Sequence, residues 1–260
     1  MMNGNILEEY NAAMQQGLMD KLYFLDYCNE VHNIVDFGAA DGSLIELLYN
    51  RFGNTKRYFA VDNSPEMLDL LRHRFQSNPC VRVVGDMNDL PNIFGLDKTA
   101  VILSSVLHEI YSYGTDLRQF EKIIFGGNFS ECPEYIFIRD MSLSRTANRP
   151  IDINDLLRLR TKANPSTLQE YTDFWGEIHS DRDMLHYLLK YRYEDNFDRE
   201  NRENYFSLPY ERLLEVVGNN YYFVHHEHYV LPYLRNVIYR DFGITVRDNT
   251  HVKLILRRKQ

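Results

Sequence analysis

Three carboxylates of the chain stand at or just beyond the ends of apolar segments. Asp36 leads into the loop Gly38–Gly42 (GAADG), and Asp62 and Asp86 follow the next two apolar segments. Glycines at both ends of a loop allow a tight turn and let a ligand approach the backbone closely. An acid at the end of the second segment can accept hydrogen bonds from ribose hydroxyls. These positions together indicate a crevice for a nucleoside-containing cofactor.

A second group of polar residues follows the fourth apolar segment. His108 can take a proton from an oxygen or nitrogen nucleophile, and Glu109 can orient the imidazole or act as the base itself. The alternative is that His108 hydrogen-bonds the sheet edge and that Glu109 begins a helix. We predict that Tyr111, Tyr113 and Asp140 contact the substrate, although an ion pair with a nearby arginine is the simpler interpretation of Asp140.

Short apolar segments that alternate with helical spacing must position these residues. Strands apolar throughout are buried on both faces, and their alternation with helices predicts a parallel, doubly wound α/β sheet. In such sheets ligands bind at the carboxyl ends of the strands. Strands are predicted at Asn33–Phe37, Tyr58–Val61, Val81–Val84, Ala100–Ser104, Tyr135–Ile138, Tyr221–Tyr229 and Val252–Leu256.

The alternation breaks between residues 141 and 206. We predict one domain over 1–260, with 141–206 as a helical insertion between strands five and six that forms a substrate lid. Its helices are predicted at Ile153–Thr161, Thr167–His179 and Met184–Tyr193. Residues 1–30 form an N-terminal helical segment, whose helix Glu8–Glu30 covers the cofactor cleft or packs on the sheet.

The segment D-F-G-A-A-D-G (36–42) resembles the D-x-G-x-G-x-G motif of class I S-adenosylmethionine-dependent methyltransferases. The resemblance covers most of residues 33–140 and the final strands. It implies a Rossmann-like seven-stranded sheet, S-adenosylmethionine as cofactor, the loop around its methionine part and Asp62 at its ribose. The middle glycine of the motif is Ala40 here, a replacement that the family tolerates. The predicted cofactor contacts are Asp36, Gly38, Ala39, Ala40, Asp41, Gly42, Asp62, Asn63, Met67, Asp86, Met87, Asn88, Ser104 and Ser105.

A nicotinamide cofactor is the closest rival. It requires the spacing G-x-G-x-x-G, which Gly38 and Gly42 do not provide. Asp41 in the middle of the loop also disfavours a diphosphate, whereas a sulfonium cofactor carries no phosphate.

The segment after the fourth strand narrows the range of methyl acceptors to be expected. Val106-Leu107-His108 is similar to the V-L-H segment of family members that act on small molecules. Neither N-P-P-Y nor D-P-P-Y occurs there, and Cys132-Pro133 is expected in a loop. Methylation of adenine N6 or cytosine C5 is therefore not expected.

Two further groups favour structural interpretations. His226 and His228 share one face of a predicted strand, with His225 and Glu227 on the other, so we predict no metal site. Basic residues of the insertion could neutralise a nucleotide phosphate, with tyrosines stacking on its base, but a solvated helix face is favoured. These residues are Arg158, Arg160, Lys162, Tyr187, Lys190, Tyr191, Arg192 and Tyr193.

Composition limits the class of protein. Lys and Arg number 29 against 37 Asp and Glu, a net charge of −8, so no overall basic face for nucleic acid is expected. The three cysteines contain no C-x-x-C, and no segment predicts a signal peptide or a membrane span. We therefore expect a cytoplasmic protein that does not bind membranes.

Three functions remain open. The leading hypothesis is methyl transfer to O or N of a small molecule, which could carry a phosphate or a nucleotide. The second is an RNA- or protein-modifying methyltransferase that docks its substrate on the inserted helices. The third is a cofactor-binding module without turnover.

Overall fold

The computed structural model describes residues 20–96, 98–126, 132–193 and 196–259. Its centre is a seven-stranded sheet in the order β3-β2-β1-β4-β5-β7-β6, in which β7 alone runs antiparallel to its neighbours. The strands are β1 Asn33–Phe37, β2 Arg57–Val61, β3 Val81–Val84, β4 Thr99–Ser104, β5 Tyr135–Met141, β6 Tyr221–Tyr229 and β7 His251–Arg258. The predicted Rossmann-like, mostly parallel sheet is confirmed.

Helices cover both faces of the sheet and form the insertion. In the described residues they are α1 Ser43–Phe52, α2 Pro65–Arg74, α3 Leu90–Phe94, α4 Leu107–Tyr113, α5 Leu117–Phe125, α6 Ile153–Lys162, α7 Pro165–Trp175, α8 Asp181–Leu188, α9 Phe197–Arg202, α10 Tyr210–Gly218 and α11 Pro232–Phe242. Short 3₁₀ helices span Leu25–Glu30, Gly53–Thr55, Met87–Asp89 and Arg145–Asn148. None of the helices described is long and apolar enough to cross a membrane.

Two apolar cores lie on opposite faces of the sheet because successive strand side chains alternate. Val35 and Val101 point into the core that α3, α5 and α10 cover. Ile34 and Ile102 point into the core that α1 covers. The central strands are therefore buried on both sides, which holds their carboxyl ends rigidly along one edge.

The insertion has an apolar core of its own, which we call the insertion core. It contains Leu159, Tyr187 and Phe206 from the inserted segment, together with residues from 230–246, between β6 and β7. Ile238 and Phe242 of α11 lie in this core, and α11 contacts α6. The insertion predicted at 141–206 thus packs with a second segment that sequence reasoning did not attach to it.

Two predicted helix ends in the insertion are wrong. The helix predicted to reach His179 ends at Trp175, because Gly176 takes φ +86°, a left-handed conformation. The next helix begins at Asp181, where Ser180 and Asp183 form a capping box, and ends at Leu188, before the predicted Tyr193.

The helix predicted over Glu8–Glu30 is also wrong at its end, and its residues before 20 lie outside the described residues. Leu25–Glu30 is a 3₁₀ helix. Phe24 stacks on Phe137 of β5 with ring centroids 4.7 Å apart, and Cys28 is fully buried. We attribute the tighter turn to this packing on the sheet.

Candidate active site

The loop after β1 makes a narrow cradle. Gly38 and Gly42 both have φ +78°, and a Cβ on Gly38 would lie 2.6 Å from Cγ2 of Val106. The loop therefore packs directly against the segment that leads into α4. Ala40 has φ +47°, so the position where the family motif has glycine is left-handed here too.

Asp62 fastens this loop to the end of β2. Its Oδ2 accepts the N–H of Ala40 at 3.0 Å, and its Oδ1 accepts the N–H of Ser64 at 2.9 Å. A carboxylate offers about four lone-pair positions, so two remain for ribose hydroxyls. Asn63 is exposed beside it, and the N–H of Met67 donates to Ser64 Oγ at 3.4 Å.

Asp36 is a buried acid beneath the loop. Burial raises its pKa to about 7; Lys21 opposes this rise, whereas Asp62 and Asp41 reinforce it. A cationic ligand would relieve this crowding of negative charge, and the sulfonium of S-adenosylmethionine is such a cation.

Replacing Asp36 by asparagine tests this electrostatic strain. A raised carboxyl pKa means that the wild type loses stability as pH rises from about 4 to about 7. We therefore expect Asp36→Asn to have the higher free energy of unfolding at pH 8, by at most about 4 kcal/mol, with little difference at pH 4. Urea unfolding at both pH values measures this; an unchanged difference between them would contradict it.

Asp41 belongs to a separate polar group, with Ser43, Arg74 and Glu46. It accepts the N–H of Ser43 at 3.0 Å, and Arg74 bridges it to Glu46. The hydroxyl of Ser43 is the main cause of its lowered pKa. Because Arg74 compensates its charge, Asp41 by itself does not exclude a diphosphate, and the exclusion rests on the glycine spacing.

The residues expected at the adenine lie after β3. Asp86 accepts the N–H and the side-chain amide of Asn88, at 2.8 and 2.9 Å, which fixes this turn. Gln119 of α5 donates to Asn88 Oδ1, and Met87 packs against the core below. The turn places an acid and a thioether side by side.

Ser104 and Ser105 end β4. The buried hydroxyl of Ser104 has no hydrogen-bond partner among the described residues, which marks a position for a ligand. Ser105 has φ +57°, its N–H donates to the Arg139 carbonyl at 2.7 Å, and its hydroxyl accepts from Arg139 at 3.0 Å. The orphaned hydroxyl and the glycine cradle both fit the cofactor that the motif implies.

The group of polar residues after β4, which we call the His108 cluster, comprises His108, Glu109, Asp140 and Glu203. His108 Nδ1 lies 2.7 Å from Asp140 Oδ1, and both side chains are buried, at 4% and 1% exposure. Asp140 also accepts the N–H groups of Leu107 and Met141, at 2.6 and 2.7 Å. Asp140 is thus paired with a histidine, so the arginine partner considered above is wrong.

Glu203 reaches the cluster from the insertion. Its Oε2 lies 3.6 Å from His108 Nε2, and its Oε1 lies 3.7 Å from Arg199 Nε. The segment that follows packs on α4: Ser207 donates to the His108 carbonyl at 2.9 Å, and the Tyr205 ring stands edge-on to the imidazole at 5.4 Å. The end of the insertion therefore closes over the carboxyl end of β4.

Charge sets the protonation of this cluster. Burial would lower the pKa of His108, but Asp140 and Glu203 outweigh burial and raise it to about 10. Burial raises the pKa of Glu109, with His108 opposing and Glu203 reinforcing the rise. Near pH 7 the imidazole is therefore protonated and carries a positive charge. Of His108 and Glu109, the carboxylate of Glu109 is then the group that can accept a proton.

The two predicted substrate tyrosines differ in setting. Tyr111 donates its hydroxyl to Glu121 of α5 at 2.7 Å and packs edge-on against Phe120. Tyr113 is 56% exposed, and Glu203 and Glu109 contribute to the rise of its pKa after burial itself. Tyr113 therefore lies within electrostatic range of the His108 cluster.

The histidines of β6 contact neighbouring side chains. His226 Nε2 is 2.6 Å from the Tyr210 hydroxyl, and His228 stacks on the Tyr210 ring with centroids 3.9 Å apart. His225 lies 3.8 Å from Glu227 on the opposite face.

The basic residues of the insertion divide into two sets. Arg158 pairs with Asp155 at 2.8 Å and Arg160 with Glu177 at 2.9 Å, as expected of a solvated face. Tyr187 and Lys190 are fully buried, so a solvated face was the wrong prediction for them.

The comparison with protein families finds a match in the first half of the chain. Residues 34–122 match the family model described as "Methyltransferase domain". This part of the chain is therefore a methyltransferase domain, and the match implies S-adenosylmethionine as its cofactor. No curated protein sequence matches the methyltransferase.

One solved structure supports this fold, and two others are similar at lower TM-scores. The methyltransferase domain of bacterial CtHen1-C is 14% identical, with a TM-score of 0.52 over 95% of this chain and 98% of that one. A SAM-dependent methyltransferase from Aquifex aeolicus is 10% identical, with a TM-score of 0.48 over 92% and 90%. N-methyltransferase NodS from Bradyrhizobium japonicum WM9 is 11% identical, with a TM-score of 0.43 over 96% and 97%. Identities this low bear on the fold alone.

Proposed function

We propose that the methyltransferase transfers the methyl group to an oxygen or nitrogen of a small molecule held beside the His108 cluster. The observation that carries this proposal is the enclosure of His108, Glu109 and Glu203 under the insertion, close to the cofactor loop. Val106 provides the link, because it touches Gly38 and precedes His108 by two residues. Glu203 is only 7% exposed, so a bulky acceptor would not reach it without displacing the insertion.

We propose that the cofactor lies in the cradle between β1, β2 and β4. Gly38–Gly42 would hold its methionine part, the free lone pairs of Asp62 its ribose, and Asp86 with Met87 its adenine. The unsatisfied hydroxyl of Ser104 would donate to or accept from the bound cofactor. When bound, S-adenosylmethionine supplies an electrophilic methyl group on a cationic sulfur. Alignment of acceptor and methyl can lower the barrier by about 7–11 kcal/mol.

Glu109 is the proton acceptor in this proposal. A protonated His108 cannot take a second proton, so it serves instead to hold Asp140 and Glu203 in place. Glu109 lies beside it in the first turn of α4, half-buried, with a raised pKa. A positioned base of this kind contributes about 10²–10⁴-fold to the rate.

The charge of the cluster favours some acceptors over others. Three carboxylates, of Glu109, Asp140 and Glu203, face one imidazolium and the distant guanidinium of Arg199. Negative charge in excess would repel a phosphate, so a neutral hydroxyl or amine suits the site better than a phosphate-bearing molecule. For the same reason a phosphodiester backbone next to the cluster is disfavoured.

Methyl transfer from labelled S-adenosylmethionine tests the proposal. We expect label in small hydroxyl or amine acceptors, and we expect Glu109→Gln to lower kcat about 10²–10⁴-fold with unchanged cofactor affinity. Glu177→Gln, which changes an exposed glutamate of the insertion, is the matched control and should keep full activity. Label found solely in RNA or protein, or tight cofactor binding without any transfer, would overturn the proposal.

A further inference from the structure

We propose that His108, Glu109 and Glu203 bind a divalent metal ion. One ligand atom of each, an imidazole nitrogen and two carboxylate oxygens, lies within 4.8 Å of the others. Metal–ligand bonds of about 2.0–2.2 Å bring neighbouring ligand atoms to about 3 Å apart. His108 Nε2 and Glu203 Oε2 are already 3.6 Å apart, so a small inward movement of the side chains completes this geometry.

The orientation of His108 suits a metal ligand. Asp140 is fixed by two backbone N–H groups and lies against Nδ1, so Nε2 is the nitrogen directed at Glu203. Metal-binding histidines usually donate their second N–H to a buried carboxylate in this way, which sets the tautomer and the ring orientation. A dication at Nε2 would replace the proton that the cluster otherwise holds there.

The burial of Glu203 is a further observation at this site. Its side chain is 9% exposed, and its ion pairs with His108 and Arg199 are 3.6 and 3.7 Å long, beyond direct hydrogen bonds. Its backbone is held in place, because Lys190, which is fully buried, donates to its carbonyl oxygen. Among the described residues His108 and Arg199 are its nearest charged partners, and a carboxylate buried to this degree at such distances is costly unless a ligand completes it.

The donor set indicates the kind of ion. Imidazole is typical of zinc, iron and nickel sites, and carboxylates are typical of manganese and magnesium sites. One imidazole with two carboxylates therefore fits Mn²⁺ or Zn²⁺. The sequence did not predict this site. The histidines of β6 were the candidate metal ligands there, and no metal site was predicted.

The role of the ion rests on the proposed function. An ion at this position would bind an acceptor hydroxyl and lower its pKa, so that an oxygen nucleophile forms near neutral pH. With the ion bound, Glu109 would be a ligand in place of the proton acceptor proposed above, and the proton released from the acceptor hydroxyl would leave to solvent. The acceptor class narrows accordingly from oxygen or nitrogen to a hydroxyl.

The test is calorimetric titration of Mn²⁺, and separately of Zn²⁺, into metal-free full-length protein in the presence of S-adenosylhomocysteine. We expect one ion per chain, with the affinity at least tenfold lower in Glu203→Gln and in Glu109→Gln. Glu177→Gln should bind like the wild type. Should Glu203→Gln fail to fold by circular dichroism, Glu109→Gln decides, because Glu109 lies in the first turn of α4 and is only partly buried.

Two results would overturn this inference: neither ion binds stoichiometrically to the wild type, or the Glu109→Gln variant binds it as tightly as the wild type. Methyl transfer that is unaffected by chelator would overturn the role given to the ion while leaving the proposed function in place. Conversely, stoichiometric metal binding without transfer to any acceptor would sink the proposed function and support the site.

Discussion

Replacing Asp62 by alanine is expected to weaken S-adenosylmethionine binding at least about 100-fold. The carboxylate carries two roles, since it anchors the N–H groups of Ala40 and Ser64 and leaves two lone pairs for ribose. Hydrogen bonds to a charged group are worth about 1.5–3 kcal/mol each, and 2.7 kcal/mol corresponds to about 100-fold in affinity. Titration calorimetry with S-adenosylmethionine and S-adenosylhomocysteine measures the loss.

The controls separate charge from general damage. Asp69→Ala removes an exposed acid of α2, whose partner is Arg72, and should leave the affinity unchanged. Asp62→Asn keeps one acceptor oxygen, so its affinity should fall between those of the wild type and Asp62→Ala. Wild-type affinity in Asp62→Ala would show that the cofactor does not bind at the end of β2.

Replacing Asp140 by alanine is expected to lower the free energy of unfolding by about 3–5 kcal/mol, because it leaves a buried imidazole and two buried N–H groups without their partner. His108, Leu107 and Met141 are those donors. Urea unfolding at pH 7 measures the loss, and Asp248→Ala, which breaks a more exposed pair with Arg149, should cost far less. A loss below about 1 kcal/mol would contradict the importance of the pair.

The same pair has a pH signature. Without a bound metal ion, the folded protein keeps the proton on His108 up to about pH 10, whereas the unfolded chain releases it near pH 6.5. A raised pKa of this kind stabilises fully below pH 6.5, and the stabilisation declines as pH rises, by about 1.4 kcal/mol per unit. Asp140→Ala should flatten this decline between pH 7 and 9. An equal slope in both proteins would assign the pH dependence to other groups.

Local pattern predicted the sheet well. Each predicted strand matches an observed one within a few residues, because apolar β-branched runs such as Asn33–Phe37 fit a strand buried on both faces. The loop after β1 could also be predicted from the sequence, because glycines at fixed spacing indicate a tight turn of the backbone. Ala40 shows the limit of this approach, because its left-handed φ is visible in the structure alone.

Only part of the site beside β4 could be predicted from the sequence. His108 and Glu109 follow a strand end and therefore stood out, whereas Glu203 lies in a polar stretch with no periodicity or motif to mark it. Its placement comes from contacts between distant parts of the chain, such as Ser207 with the His108 carbonyl. Lys190 was misjudged for the same reason, since its charge gives no hint that two backbone carbonyls receive it in the interior. The cofactor contacts stay predictions until a complex is measured.

The two-part origin of the insertion core bears on how specificity can be exchanged between enzymes of this fold. Residues 141–206 contribute Glu203, but Ile238 and Phe242 of α11 share their core. A chimaera that carries another enzyme's insertion at 141–206 would leave these α11 side chains facing a foreign surface. The segments 141–206 and 230–246 therefore have to be exchanged together, although they are separate in sequence. Strands β1 to β4 and the loop after β1 can be kept unchanged.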